Sequence, residues 1–259
     1  MTAGRNALVF GASGGIGRSV AAALGRDFDI VFVTSRSDDR AQATSEQLQR
    51  SDGASYVGMS CDIGDAASIT ACVADATVSG SLEVVVIASG QLVLGPLADL
   101  TEEMWRSAFD TNLVGPCVVT SAVVPALQAA AHGRLIILSS ASGVTGLAGR
   151  GAYAASKAGL HGLIRVAAAE LGPYGATANV VAPGPIDTEM VAAAATVVPD
   201  YRANLEGQIP AGRYGSPDEV AALTTFLASP ESAYINGQVL IVDGGWTATH
   251  TAALPPVST

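Results

Sequence analysis

Between Ala7 and Val242, short apolar runs alternate with longer stretches of helical composition, and that alternation restricts the possible folds more than any other feature of the chain. Ala7–Phe10, Ile30–Thr34, Ser55–Met59, Leu82–Ala88, Arg134–Leu138, Thr177–Ala182 and Gln238–Val242 read as strands. Runs such as Leu82–Ala88 are continuously apolar and β-branched, the pattern of a strand buried on both faces. The intervening helical segments are Arg18–Leu24, Ala41–Gln49, Ala66–Thr77, Met104–Ala130, Ala152–Glu170 and Asp218–Ala228. Strands and helices taken in turn predict an α/β, Rossmann-type doubly wound parallel sheet of about seven strands with helices on both faces. No repeat, low-complexity tract or linker divides the chain, so residues 1–259 are expected to form one domain.

Composition narrows the partners. At 49% hydrophobic and 14% charged, the chain can bury a core and is not of the disordered class. The net charge of −10 argues against nucleic acid as a partner, which needs clustered Lys and Arg, but leaves room for a nucleotide in a local pocket. Cys61, Cys72 and Cys117 have no CxxC spacing and read as free thiols in a reducing compartment; His132, His161 and His250 share no ligand spacing, so no metal is expected. Neither a signal-like N-terminus nor an apolar run long enough to span a bilayer is apparent, which predicts a cytoplasmic protein with no membrane partner.

The first strand runs into Gly11-Ala-Ser-Gly-Gly-Ile-Gly17 and then into a helix. Glycines let the backbone approach a pyrophosphate, and the helix N-terminus offers unpaired N–H groups and a favourable dipole. A glycine-rich loop alone can be a flexible turn; between a strand and a helix it points to a dinucleotide. At the end of the second strand, where an acid would bind adenosine ribose hydroxyls, stand Ser35 and Arg36. A guanidinium there can grip a 2′-phosphate, which favours NADP(H) and leaves NAD(H) possible, although Asp38 and Asp39 are placed to compete for it. Asp62 can accept from the adenine amino group, or serve as a turn or cap residue.

Tyr153 and Lys157 are four apart in a helical run, on one face and one turn from each other. An ammonium beside a phenol favours the phenolate and so makes the tyrosine a proton donor and acceptor near neutral pH. Taken alone, a lysine stem packed on an aromatic ring is the commoner meaning of this spacing. Ser140 follows a strand whose carboxyl end faces the ligand crevice of an open α/β sheet, and elsewhere would be an ordinary turn residue. Asn112 lies in the long helical segment that Pro116 and Pro125 are expected to bend. Pro183-Gly184-Pro185 stiffens the loop after the sixth strand, and Thr188 can bond a cofactor amide. Residues 187–210 form a candidate lid, with an ordinary surface helix pair as the alternative, and residues 247–259 a loose tail or subunit contact.

Together these features resemble the short-chain dehydrogenase/reductase family in its compact single-domain branch, and in particular its 3-oxoacyl-acyl-carrier-protein reductase-like members. Gly11-xxx-Gly15-x-Gly17, Asp62, Asn112, Ser140, Tyr153-xxx-Lys157 and Pro183-Gly184 stand in the family's order. The resemblance implies that Gly11, Ser13, Gly15, Ile16 and Gly17 hold the pyrophosphate, and that Ser35, Arg36, Asp62, Ile63, Ser89 and Gly90 surround the adenosine half. Pro183, Gly184, Ile186 and Thr188 would fix the nicotinamide. Tyr153 would act as general acid in reduction and base in oxidation, and Ser140 would bind the carbonyl oxygen. Lys157 would hold the nicotinamide ribose and lower the tyrosine pKa, and Asn112 would position a relay water.

Two departures stand out: Phe10 replaces the usual threonine, and Ile87-Ala88-Ser89-Gly90 replaces Asn-Asn-Ala-Gly, losing two asparagines that brace the sheet and adenosine pocket. The implied activity is NADP(H)-dependent hydride transfer between nicotinamide and a ketone or secondary alcohol. The alternatives are an NAD-dependent alcohol dehydrogenase of the same family and a catalytically silent cofactor-binding sensor. Similar proteins are homotetramers, dimers of dimers, and Ala154, Ala158, Gly159, Gly162, Ala167 and Ala168 would allow close contact between helices of different subunits. Ser142, Val144, Leu147, Met190 and residues 191–208 are the expected substrate contacts; being small or apolar, they predict an uncharged or apolar group beside the carbonyl.

Overall fold

The structure is a computed structural model and describes residues 4–52, 54–197 and 201–249. Seven parallel strands form one sheet: β1 (Arg5–Phe10), β2 (Ile30–Ser35), β3 (Tyr56–Ser60), β4 (Ser81–Ile87), β5 (Arg134–Leu138), β6 (Thr177–Pro183) and β7 (Val239–Val242), in the order β3-β2-β1-β4-β5-β6-β7. Strand order reverses between β1 and β4, and ligands of such sheets bind outside the strand ends at that reversal. The helices are α1 (Gly15–Leu24), α2 (Asp38–Asp52), α3 (Ala66–Val78), α4 (Glu102–Phe109), α5 (Gly115–Ala129), α6 (Gly151–Leu171), α7 (Glu189–Val197), α8 (Tyr201–Glu206) and α9 (Pro217–Ala228). One core lies between the sheet and α3, α5 and α6, through Ile69, Val119, Val123, Leu160 and Ile164. The other lies between the opposite face and α1 and α9, through Val20, Leu24, Val220 and Leu227.

The two departures from the family pattern meet at one place. Phe10 and Ile87 are register partners across β1 and β4, and both are fully packed in the first core. An aromatic–aliphatic contact thus occupies the strand ends where the relatives' hydrogen-bonding residues are expected, and burial of two large side chains supplies the bracing.

α4 and α5 are joined by a π turn, Asp110–Val114, into one continuous helix. Pro116 has no N–H to give the Asn112 carbonyl, so the α-helical register fails there; Gly115 N–H instead reaches back to the Asp110 carbonyl. The bends expected at the two prolines take this form: Pro116 sits beside the π turn, and Pro125 lies inside α5 without ending it. The continuous helix Glu102–Ala129 contains an 18-residue stretch of mean hydropathy 1.4 and is, by length and composition alone, apolar enough to cross a membrane, where no such run was expected. Val119, Val123 and Leu127 pack it into the layer beneath the sheet, so part of that apolarity belongs to the core.

Some of the small residues assigned to subunit contacts serve the chain itself. Ala167 and Ala168 are buried in the core, and a Cβ on Gly159 would come within 2.8 Å of the Leu113 side chain, so this glycine lets α6 close on the π turn. Ala158 and Gly162 remain on the exposed face of α6. Cys61 and Cys72 are buried free thiols, as expected, while Cys117 is a half-buried one.

Candidate active site

The glycine loop is shaped by its backbone. Gly11 and Gly15 have φ of +79° and +51°, where a side chain is strained, and a Cβ on Gly17 would stand 2.2 Å from the Gly11 carbonyl oxygen. The N-cap of α1 is Gly14, which has no side chain to cap the first-turn N–H groups, so the helix presents its donors to the crevice. A cavity of about 260 Å³ opens there, between Gly15, Arg18 and Ser19 on one side and Asp187, Thr188 and Glu189 on the other. Ile16 and the exposed Ser13 belong to the same loop. A cradle that excludes side chains and points helix N–H groups into a cavity fits a pyrophosphate.

At the end of β2, Ser35 is buried and Arg36 is exposed; among the described residues Arg36 has no ion-pair partner, so Asp38 and Asp39 do not take it. Asp62 uses Oδ1 to accept from Gly64 N–H at 2.9 Å, so the turn role weighed for it is present and shares the carboxylate with any adenine contact. Ile63 is buried behind it, where a Cβ on Gly115 would meet its carbonyl oxygen at 2.7 Å.

Tyr153 is the third residue of α6 and Lys157 follows one turn later, both on the buried face of that helix. Lys157 Nζ donates to the Leu138 carbonyl at 2.9 Å, and Ser139 Oγ donates to the Lys157 carbonyl at 2.9 Å. These two bonds tie α6 to the end of β5, and Ser140 follows directly. Ser140 is buried, and its Oγ accepts from Ser142 N–H at 3.1 Å. Burial pushes the Lys157 ammonium down to about 8 from its usual 10.5.

Gly90 completes the wall. A Cβ there would lie 3.1 Å from Lys157 Nζ and 3.3 Å from Asn112 Oδ1, so a bare backbone is what admits both groups. Asn112, buried in the π turn, clamps the next residue: Oδ1 accepts from Gln91 N–H at 2.8 Å and Nδ2 donates to the Gln91 carbonyl at 3.0 Å. Its second amide hydrogen goes to Ser156 Oγ at 3.1 Å, and Ser156 in turn donates to the Tyr153 carbonyl at 2.7 Å. Both side-chain hydrogens are therefore spent on protein. The Asn112 carbonyl lacks its α-helical donor in the π turn, because Pro116 has no N–H to give it.

Beyond β6, Pro183 is buried and Gly184 packs so tightly on Asp243 that a Cβ would stand 2.5 Å from the Asp243 Cβ. The Ile186 side chain is buried against Gly215 and belongs to the second core. Thr188 stands over the glycine loop, its methyl 3.4 Å from where a Gly15 Cβ would be. Residues 187–210 hold α7 and α8, joined through residues 198–200, which lie outside the described set; of the tail, residues 250–259 also lie outside it.

Three participants were missed in the sequence. Ser139 Oγ also meets His161 Nε2 at 3.0 Å, and burial, with Arg165 nearby, lowers the His161 pKa. Ser156 lies inside the Tyr153–Lys157 run, where its spacing gave a signal. Arg150, one turn before Tyr153, donates from Nη1 to Ser142 Oγ at 3.0 Å.

Comparison with known proteins gives a consistent set. The family described as enoyl-(acyl carrier protein) reductase matches residues 11–247. The chain is 39% identical over 243 residues to the 3-oxoacyl-[acyl-carrier-protein] reductase FabG of Escherichia coli strain K12, covering 93% of this chain and 97% of that one. It is 35% identical over 244 residues to the short-chain reductase protein NovJ of Streptomyces niveus, covering 92% of each. Among solved structures, a single-residue variant of actinorhodin polyketide ketoreductase with NADPH superposes with a TM-score of 0.90 at 32% identity, over 96% of this chain and 100% of that one.

Proposed function

Since the chain belongs to the short-chain dehydrogenase/reductase family, we propose that it is an NADP(H)-dependent oxidoreductase interconverting a ketone and a secondary alcohol, with Tyr153 as general acid and base. The observation that carries this reading is the buried, desolvated Lys157 one turn from Tyr153, bonded to the end of the strand that leads to Ser140. A protein that only bound a nucleotide would have no use for a buried cation beside a phenol. The solved ketoreductase contains NADPH, and Arg36 supports the same cofactor here.

Bound NADPH would supply a hydride to the carbonyl carbon. The glycine loop would hold its pyrophosphate, Arg36 its 2′-phosphate, and the Ile186 backbone with Thr188 its nicotinamide. Ser140 donates to the substrate oxygen and stabilises the negative charge that grows on it. Tyr153 delivers the proton to that oxygen in reduction and removes it in oxidation. Lys157 steadies the phenolate left behind, and the Asn112 carbonyl holds the water through which the proton is replaced. In this reading residues 187–210 are a lid, and the whole chain is one domain.

The test is NADPH oxidation against a panel of ketones with an enoyl thioester included, for the wild type and Tyr153→Phe. Loss of about a thousandfold or more in the variant, with an unchanged melting temperature, is the expected result. Binding of NADPH without turnover of any substrate would replace the enzyme by a sensor. Arg36→Ala separates the cofactors: the ratio of NADPH to NADH efficiency should fall by about 10- to 100-fold, the worth of a charge-assisted phosphate contact, and a ratio unchanged or favouring NADH in the wild type would point to the NAD-dependent alcohol dehydrogenase. We place the protein in the cytoplasm as a homotetramer, for which a monomeric mass by light scattering is the disproof.

A further inference from the structure

We propose that Arg18 is a further ligand for the diphosphate of the cofactor, and that Glu189 is a stand-in anion held beside it over the glycine loop until the diphosphate takes its place. This rests on the NADP(H) reading above and deepens it by two residues, neither of them a member of the glycine motif. Arg18 lies in the first turn of α1, and Glu189 is the first residue of α7. The two face each other across the cavity of about 260 Å³ at the start of α1.

Glu189 is placed where an anion is wanted. Its Oε2 lies 3.6 Å from where a Cβ on Gly14 would be and 3.7 Å from one on Gly15, so the carboxylate stands against the first residues of the helix. α1 has no acidic residue in its first turn and no side-chain cap. The negative charge that its dipole favours is therefore brought from α7. Arg18 Nη2 stands 3.8 Å from Glu189 Oε1, which adds a second attraction from the same wall.

None of these contacts is tightly made. A separation of 3.8 Å is beyond hydrogen-bond reach, the Glu189 carboxylate accepts no hydrogen bond, and the Arg18 guanidinium donates none. The two side chains are 40% (Arg18) and 72% (Glu189) exposed, so parting them costs little. Asp187, the other carboxylate on the cavity wall, shows the contrast, since Arg202 holds it at 2.7 and 3.1 Å. A guanidinium with its donors unspent, beside uncapped helix N–H groups, suits a diphosphate better than a single carboxylate. The diphosphate brings more charge and more acceptor oxygens. Like charges oppose its sharing the cradle with Glu189, so Glu189 must leave, and the cofactor's apparent affinity is lowered by the fraction of molecules in which it has not.

The experiment measures Kd without turnover: NADPH by fluorescence titration, and inorganic diphosphate and adenosine 2′-phosphate by competition against it. The full chain is used as wild type, Glu189→Gln and Arg18→Gln. Glu189→Gln should bind NADPH and diphosphate more tightly by about 2- to 5-fold, the scale of one exposed ion pair. Arg18→Gln should bind both more weakly by about tenfold, the worth of a charge-assisted hydrogen bond. Adenosine 2′-phosphate can reach Arg36 but carries no diphosphate, and its affinity should stay the same in both variants. The inference is overturned if Glu189→Gln binds NADPH and diphosphate no tighter than wild type, or if Arg18→Gln binds them as tightly. It is overturned as well if adenosine 2′-phosphate gains as much as NADPH in Glu189→Gln, since the effect would then belong to net charge rather than to this cradle. A wild type that binds neither NADPH nor NADH is a different result, which would remove the oxidoreductase reading and this inference together.

Discussion

Around Lys157 the polar atoms bond to buried partners within the protein, whereas along residues 187–206 they bond across exposed surface. The first region holds Lys157 to Leu138, Ser139 to Lys157, and Asn112 to Gln91 and Ser156, all at 2.8–3.1 Å. The second is fastened by Arg202 to Asp187 at 2.7 and 3.1 Å and by Arg18 to Glu189 at 3.8 Å, with side chains mostly open to solvent. Buried networks are costly to leave half-made and so favour one arrangement, while exposed ion pairs contribute little and open readily. Proton transfer needs groups held in place, and substrate entry needs a segment that gives way. In the proposed function the first requirement falls to the Lys157 region and the second to residues 187–210.

The sharpest way to break this contrast is Lys157→Met. Activity should fall by about a hundredfold or more, since in the proposed mechanism the cation that steadies the Tyr153 phenolate is gone. Stability should not fall with it at pH 7, because the variant removes a buried charge. The sign follows from the depressed pKa. Between about 8 and 10.5 the unfolded chain holds the Lys157 proton more tightly than the folded one. The lysine's contribution to stability is therefore complete above 10.5 and is lost as the pH falls through about 8. Denaturant melts of both proteins across that window should show the wild type gaining on the variant by up to about 3 kcal/mol as the pH rises. A variant several kcal/mol less stable than wild type at pH 7 would make Lys157 a structural residue.

Asn112→Ala tests the network rather than the cation. It strips partners from the Gln91 N–H and carbonyl and from Ser156 Oγ in a buried setting. A loss of about 3 kcal/mol is expected, with a drop in kcat of about tenfold through the disturbed Ser156–Tyr153 contact. Urea unfolding and steady-state rates check both parts. A full loss of turnover at unchanged stability would place the side-chain amide in the proton relay itself.

How much of this the sequence disclosed depended on whether the physics was local. The strand, glycine loop and helix of residues 7–24 are contiguous, and so are Tyr153 and Lys157; periodicity and glycine placement sufficed for both. The apolar pair Phe10–Ile87 could be noticed only as two separate departures, because their meeting depends on strand order. Pro116 was visible as a missing donor, but the missing donor alone does not say whether the helix kinks or, as here, winds into a π turn closed by Gly115 N–H on the Asp110 carbonyl. Arg150 belongs to no motif along the chain. Its significance comes from the return of two loops to one point, which no spacing along the chain records.

The smallest effect belongs to the surface fastening, and it sharpens the contrast more than it threatens it. Arg202 pairs with Asp187 and lies 4.6 Å over the Tyr214 ring, so one side chain from the middle of the segment grips the chain near both of its ends. The Arg202 hydrogen bond holds the Asp187 carboxyl below its ordinary range, so the pair is fully formed above that range and lost only as the pH falls through the lowered value. Between about pH 5 and 8 the fastening should thus be insensitive to pH but sensitive to salt, as exposed pairs are. Arg202→Ala should leave the melting temperature within about 3 °C of wild type. KM should rise and kcat should change by only a few fold, in either direction according to whether closure or release limits turnover. Added salt should move the wild type toward the variant, which holds only if the pair is a weak and reversible clasp; a large collapse in stability would instead make residues 187–206 as integral to the fold as α6.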